Sequence, residues 1–242
     1  MTTKSPVALV TGAAGGIGAA VCRALAGQGH RVVVHDFGKP EAGDALVAEL
    51  PDAVYVDGDI SDPGVAPKLV AAAVERWGRL DVVVNNAGIA RQIPHRDLDA
   101  VPDEWWDQVL GVNLLGPWHL SRAAAPALRA TRGAIVSVAS VAGLTVSGSS
   151  IPYAVSKAGL IHLTKLLAVA LAPEIRVNAI APGYIDTPLT HDWTDLRDTV
   201  GERAPLSRLG APEDAAAAVL SLLNSPYTTG AVLTVDGGLN LI

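Results

Sequence analysis

Tyr153 and Lys157 stand four residues apart in PYAVSK, a spacing that puts both side chains on one face of a helix. A positive charge beside a phenol favours its ionised form. An unperturbed phenol titrates near ~10, so a lysine there would help the tyrosine exchange a proton near neutral pH. Ser140 lies thirteen residues upstream, at the start of the small-residue stretch SVAGLTVSGSSI, where its hydroxyl would orient a substrate oxygen. The same Tyr-Lys spacing also occurs in helices with a half-exposed Tyr and a solvated Lys. Its meaning therefore depends on what the rest of the chain places beside it.

A second chemical feature opens the chain. TGAAGGIG, Thr11 to Gly18, falls between an apolar strand-like run and an Ala/Leu-rich helix-like run. A glycine-rich turn entering a helix presents backbone N–H groups and a helix N-terminus to phosphates, and glycines let the ligand approach closely. The usual Gly-x-Gly-x-x-Gly fingerprint is not matched. The stretch reads as Gly12-x-x-x-Gly16-x-Gly18 or as Gly12-x-x-Gly15-x-x-Gly18. No Lys-Ser/Thr follows, so it is not a Walker loop. Asp36 comes eighteen residues after Gly18, near the ~20-residue offset of an acidic residue that accepts from ribose hydroxyls. A carboxylate there repels a 2′-phosphate, and Gly15 and Phe37 hold no charge that would attract one. NAD is the expected cofactor, with Arg31 and Lys39 as nearby cations. Asp59, in DGDIS, would meet the adenine amino group or serve as a turn residue.

The elements that must position these groups follow from short apolar runs between helical patterns. Strands are expected at VALVT (7–11), RVVVHD (31–36), AVYVDGD (53–59), LDVVVNNAG, GAIVSVAS, IRVNAIAPG and AVLTVDGG. Helices are expected after Gly18, in EAGDALVAEL, from Pro63 to Trp77, as one long unit in DEWWDQVLGVNLLGPWHLSRAAAPAL, in PYAVSKAGLIHLTKLLAVALA and in EDAAAAVLSLL. Alternation of this kind predicts a single-domain α/β fold over residues 1–242: a Rossmann-like, doubly wound parallel sheet of about seven strands with helices on both faces. Small and polar residues follow each apolar run: the Gly-rich turn, Asp36, Asp59, NNAG, Ser140 and Pro182-Gly183. In this fold class that edge is where ligands bind.

Composition agrees. Of 242 residues, half are apolar, but one Phe, four Tyr and five Trp leave the core to Ala, Val, Leu and Ile, which suits buried parallel strands. A net charge of −6 gives no reason to expect nucleic acid or an anionic membrane as partner. The single Cys22 predicts a reducing, cytoplasmic setting. MTTKSPVALV runs so soon into the first expected strand that no signal peptide is expected, and no apolar run reaches a membrane span. Six scattered His lack ligand spacing, so no metal is expected.

Together, TGAAGGIG, NNAG (Asn85 to Gly88), Asn113 in GVNLLG, the Ser140 and Tyr153-x-x-x-Lys157 set, PGYIDT (Pro182 to Thr187) and the terminal DGG (Asp236 to Gly238) resemble the compact, single-domain branch of the short-chain dehydrogenase/reductase family across nearly the whole chain. Ala139 departs from relatives that carry a second Ser before the catalytic one. Ser137 is a competing Ser, with a gap of sixteen to the tyrosine.

The resemblance implies an NAD(H)-dependent oxidoreductase that interconverts a secondary alcohol and a ketone. Catalysis would fall to Asn113, Ser140, Tyr153 and Lys157. Tyr153 is the general acid/base, Lys157 lowers its pKa and bonds the nicotinamide ribose, and Ser140 holds the substrate oxygen. Asn113 holds a water that links Lys157 to solvent; read alone, it is a helix-kinking polar residue. Cofactor contacts are implied for Gly12, Gly15, Gly16, Ile17 and Gly18, for Asp36, Asp59 and Ile60, and for Asn86, Ala87 and Gly88. At the nicotinamide end they pass to Tyr153, Lys157, Pro182 and Gly183, with Ile185 and Thr187 on the carboxamide.

Substrate choice would lie in IARQIPHRD, VAGLTVSGSSI and the lid YIDTPLTHDWTDLRD. The lid's Leu189, Trp193 and Leu196 suggest a small or medium, partly apolar alcohol or ketone. Gln92, His95, Tyr184 and His191 are candidate polar contacts. Apolar helix faces around Asn113 and Tyr153 predict a homo-oligomer, and the resemblance implies a tetramer, with a dimer as the smaller form. The alternative function is a non-catalytic dinucleotide sensor or scaffold on the same fold, which would need only the nucleotide end.

Overall fold

A computed structural model describes residues 5–241, without the side chains of Thr194, Asp195, Leu196 and Asp198. The MTTK lead-in and the Leu196 side chain lie outside the described residues. Seven parallel strands form one sheet: β1 (Val7–Thr11), β2 (Arg31–Asp36), β3 (Ala53–Asp57), β4 (Val82–Asn85), β5 (Ala134–Val138), β6 (Arg176–Pro182) and β7 (Val232–Val235). They lie in the order β3-β2-β1-β4-β5-β6-β7. The chain runs outward from β1 to β3, then crosses back to β4 on the other side of β1. That reversal makes the crevice beyond β1 and β4 a ligand site.

The central strands are apolar on both faces because helices cover both. Val7, Leu9, Val33, Val83, Ile135 and Val177 point to one face. There they meet α3 (Val65–Trp77), α5 (Gly116–Thr131) and α6 (Ile151–Ala170). Ala8, Val10, Val32, Val34, Val84 and Val136 point to the other, under α1 (Gly16–Gly27), α2 (Pro40–Glu49) and α8 (Pro212–Leu223). A side chain such as Leu69 or Leu120, fully buried, contributes roughly 1.5–3 kcal/mol by leaving water. Register then aligns the strand ends: Thr11 opposes His35, Asp36 opposes Asp57, Asn85 opposes Ser137 and Val138 opposes Ile180. The polar residues that follow therefore share one edge.

Three expected elements differ in detail. β3 stops at Asp57, where its pairing with Asp36 ends, so Asp59 stands in the following loop. The long helix after Pro102 is divided into α4 (Asp103–Leu110), a π turn (Gly111–Leu115) and α5. Pro117 has no N–H, so the carbonyl of Asn113 lacks its α-helical donor, and Gly116 N–H reaches Gly111 O instead. The extra residue of a π turn accommodates that loss. The lid contains a further helix, α7 (Thr194–Arg203). Arg197 Nη1 and Nη2 donate to Asp186 Oδ1 and Oδ2 at 3.1 and 2.8 Å, tying α7 to the turn that follows β6. Among the described residues, no helix is long and apolar enough to cross a membrane.

Candidate active site

The turn between β1 and α1 is shaped by its contacts with β4. Gly12 has φ +62°, and a Cβ there would lie 2.7 Å from Ala87 Cα, so backbone occupies the space a side chain would need. Thr11 Oγ1 accepts from the Asn86 and Ala87 N–H groups, each at 3.1 Å. Asn86 Nδ2 donates to Thr11 O at 2.9 Å and Gly12 O at 2.8 Å. Asn86 thus braces the Gly-rich turn as well as bordering the cavity. Gly18 lies beneath the turn, where a Cβ would press on Gly12 O and Asn86 Nδ2. Asp36 Oδ2 accepts from Ala14 N at 2.9 Å, and Oδ1 accepts from Phe37 N at 2.9 Å. Lys39 Nζ stands 3.6 Å from Oδ1. Asp59 Oδ1 accepts from the Ser61 N–H and hydroxyl at 2.9 and 2.8 Å, leaving Oδ2 outside these bonds.

The other half of the site comes from β5 and α6. Ser150 opens α6 by accepting from Tyr153 N at 3.4 Å, with Pro152 in the first turn, a place proline tolerates. Ser140 follows β5 and accepts from Ala142 N at 3.1 Å, which turns the loop back toward α6. Lys157 is 3% exposed. Its Nζ donates to Val138 O at 2.8 Å and lies 5.7 Å from the centre of the Tyr153 ring. Burial pulls the ammonium down to about 8. Burial also pushes the Tyr153 phenol above its ordinary value, and the neighbouring Ser140 hydroxyl acts the other way. Lys157 thus gives a hydrogen bond to β5 while its charge stays beside the Tyr153 ring.

These two halves face one cavity of about 540 Å³, within the usual range for small-molecule sites. Gly12, Gly15, Gly16 and Ile17 border it at the turn, with Asp36, Asp59 and Ile60 at one end. Asn86, Ala87 and Gly88 form its floor; Ser140, Tyr153, Lys157, Pro182, Gly183, Ile185 and Thr187 close the other end. Two predicted residues lie behind the wall. Gly18 packs under the turn, and Asn113 is wholly buried. Asn113 Oδ1 accepts from Ile89 N at 2.9 Å; Nδ2 donates to Ile89 O and Ser156 Oγ, each at 3.1 Å. Its side chain binds the loop after β4 to α6, with Gly88 between it and Lys157.

Ser137 is buried near Asn85 Nδ2, at 3.4 Å, and does not border the cavity, which leaves the Ser role to Ser140. Among the candidate polar contacts, Tyr184 donates its hydroxyl to Thr190 O at 2.7 Å, and its ring meets Trp193 edge-on at 6.4 Å. Gln92, His95 and His191 do not border the cavity, whereas Leu189 does. The sequence reading missed Thr190 and Ser156. Thr190 borders the cavity. Ser156 receives the Asn113 amide and donates to Tyr153 O at 2.7 Å. The polar position one turn of α6 after Tyr153 was the available signal for Ser156; Thr190 carried none. Among the described residues no cluster of His, Cys, Asp or Glu is placed to hold a metal.

A doubly wound sheet, a Gly-rich turn aimed into its crevice and a Ser-Tyr-Lys set across the same cavity define a dinucleotide-binding oxidoreductase. The chain belongs to the short-chain dehydrogenase/reductase family: a family profile described as enoyl-(acyl carrier protein) reductase matches residues 12–240. A Streptomyces violaceoruber protein named as a ketoacyl reductase of the granaticin polyketide synthase is 49% identical, over 99% of this chain and 98% of that protein. A Burkholderia xenovorans structure described as a short-chain dehydrogenase/reductase superposes with a TM-score of 0.93 at 35% identity, covering all of both chains. The 3-ketoacyl-(acyl-carrier-protein) reductase of Brucella melitensis, solved with NADH, gives 0.89 at 32% identity, covering 97% of this chain and 98% of that one.

Proposed function

We propose that the chain is an NAD(H)-dependent enzyme interconverting a secondary alcohol and a ketone, with 3-oxoacyl thioesters as its first candidate substrates. The observation that carries this is the common cavity of Ser140, Tyr153 and Lys157 with the Gly-rich turn and Asp36. The names of its relatives supply the substrate class. The residues fit a dinucleotide: Gly15 borders the cavity where a Cβ would meet no protein atom within 4 Å, the N-terminus of α1 follows at Gly16, and Asp36 would meet a ribose without a 2′-phosphate.

When bound, the dinucleotide supplies or accepts the hydride. The chain's own groups do the rest. Ser140 donates to the substrate oxygen and stabilises charge that develops on it. In reduction, the Tyr153 phenol gives its proton to that oxygen. Lys157 holds the nicotinamide ribose and, with Asn113 behind it, lies on the route by which Tyr153 recovers a proton. Asn113 serves that route through its main-chain carbonyl, which Pro117 leaves without an α-helical donor, while its side chain is spent on Ile89 and Ser156.

The test is NADH consumption with simple ketones and with 3-oxoacyl and enoyl thioesters, the enoyl arm covering the activity in the profile's description. Tyr153→Phe is expected to lower turnover by at least ~10²-fold, the low end of what a positioned acid contributes, while NADH still binds. Normal turnover by that variant would sink the mechanism.

A further inference from the structure

We propose that Thr190 is a positioning residue for the nicotinamide end of the site, holding the Ile185–Thr187 turn through its hydroxyl. The proposal rests on the reading that Ile185 and Thr187 receive the cofactor's carboxamide. After Pro182 the chain leaves the sheet, and the turn is held by contacts with later segments, Arg197 on the Asp186 carboxylate among them. On one side the turn is held by Gly210, whose O accepts from Asp186 N at 2.9 Å and whose N donates to Tyr184 O at 3.1 Å. On the other side it is held by Thr190. The Thr190 hydroxyl donates to Ile185 O at 2.7 Å and accepts from Thr187 N at 3.2 Å, with Thr187 Oγ1 at 3.3 Å.

One hydroxyl therefore satisfies an acceptor and a donor on the two residues that face the carboxamide. It also sets the Thr187 side chain against Gly16, where a Cβ would lie 3.3 Å from Thr187 Cβ. The same residue reaches the substrate wall. Its carbonyl accepts from the Tyr184 hydroxyl at 2.7 Å and from Trp193 N at 3.1 Å, so lid and nicotinamide turn share one anchor. None of these bonds touches the adenosine end, where Ala14, Asp36 and Asp59 make their own contacts.

That separation gives the test. Binding of NADH and of ADP-ribose, which lacks the nicotinamide, is measured by tryptophan fluorescence for the wild type and for Thr190→Val, Thr190→Ala and Thr190→Ser. Removing one hydrogen bond of this kind weakens an interaction by roughly fivefold. Val and Ala are expected to raise the NADH Kd by about that factor, with ADP-ribose unchanged and Ser equal to wild type. Unchanged NADH affinity in the Val and Ala variants overturns the proposal. So does equal weakening of both ligands, or failure of Ser to restore binding. Wild-type protein that binds neither ligand would instead overturn the dinucleotide reading beneath it.

Discussion

Lys157 keeps an ammonium group where almost no water reaches it, and replacing it with Met isolates what that costs. The side chain is 3% exposed and has one hydrogen bond to protein, to Val138 O at 2.8 Å. Its pKa falls from 10.5 to about 8. Below about pH 8 both folded and unfolded chains carry the proton, and the fold bears the full burden of the buried charge. Between about 8 and 10.5 the folded chain has released a proton that the unfolded chain retains, so stability rises with pH. The slope is about 1.4 kcal/mol per pH unit for one group. From pH 7 to 9.5 that amounts to roughly 2 kcal/mol, or a Tm rise of roughly 4–8 °C at this chain length.

Lys157→Met removes the titration and retains the length. It leaves Val138 O unpaired, but that penalty is the same at every pH. The Tyr153 phenol, pushed upward by burial, holds its proton over most of this window and adds little slope. Scanning fluorimetry of both proteins from pH 7 to 9.5 should show the wild type gaining on the variant as pH rises. A difference between the two that is flat in pH, or that shrinks as pH rises, would refute the reasoning.

Two further outcomes are expected. Asp36→Ala should raise the relative affinity for NADPH over NADH by roughly tenfold, because it removes a like charge from the 2′-phosphate and leaves Lys39 in place; wild-type preference for NADP in binding titrations would contradict this role for Asp36. The chain is expected to form a tetramer through α5 and α6, where Trp118, Val155, Leu166 and Val169 are exposed, and a monomer in sedimentation at micromolar concentration would contradict it.

The sequence alone determined what depends on neighbours along the chain. β1 and β2 fall where VALVT and RVVVHD predicted them, because runs of β-branched and other apolar residues bounded by turn residues are local signals. The strand-helix alternation determined the doubly wound class, and the glycines of the first turn, Asp36, Ser140 and Tyr153-x-x-x-Lys157 marked the ligand edge. Tertiary structure decided what those groups do to one another. Spacing predicted a lysine beside the phenol; packing buried that lysine, set its Nζ 5.7 Å from the Tyr153 ring centre and turned it to Val138 O. Spacing placed Asn113 in one long helix, whereas the missing donor at Pro117 opened a π turn and the fold gave its amide to Ile89 and Ser156, 24 and 43 residues away. Thr190 became visible only when the lid folded back on Ile185 and Thr187. Burial and hydrogen-bond partners are set by contacts distant in sequence, and those contacts exist only once the sheet has aligned its strand ends along one edge.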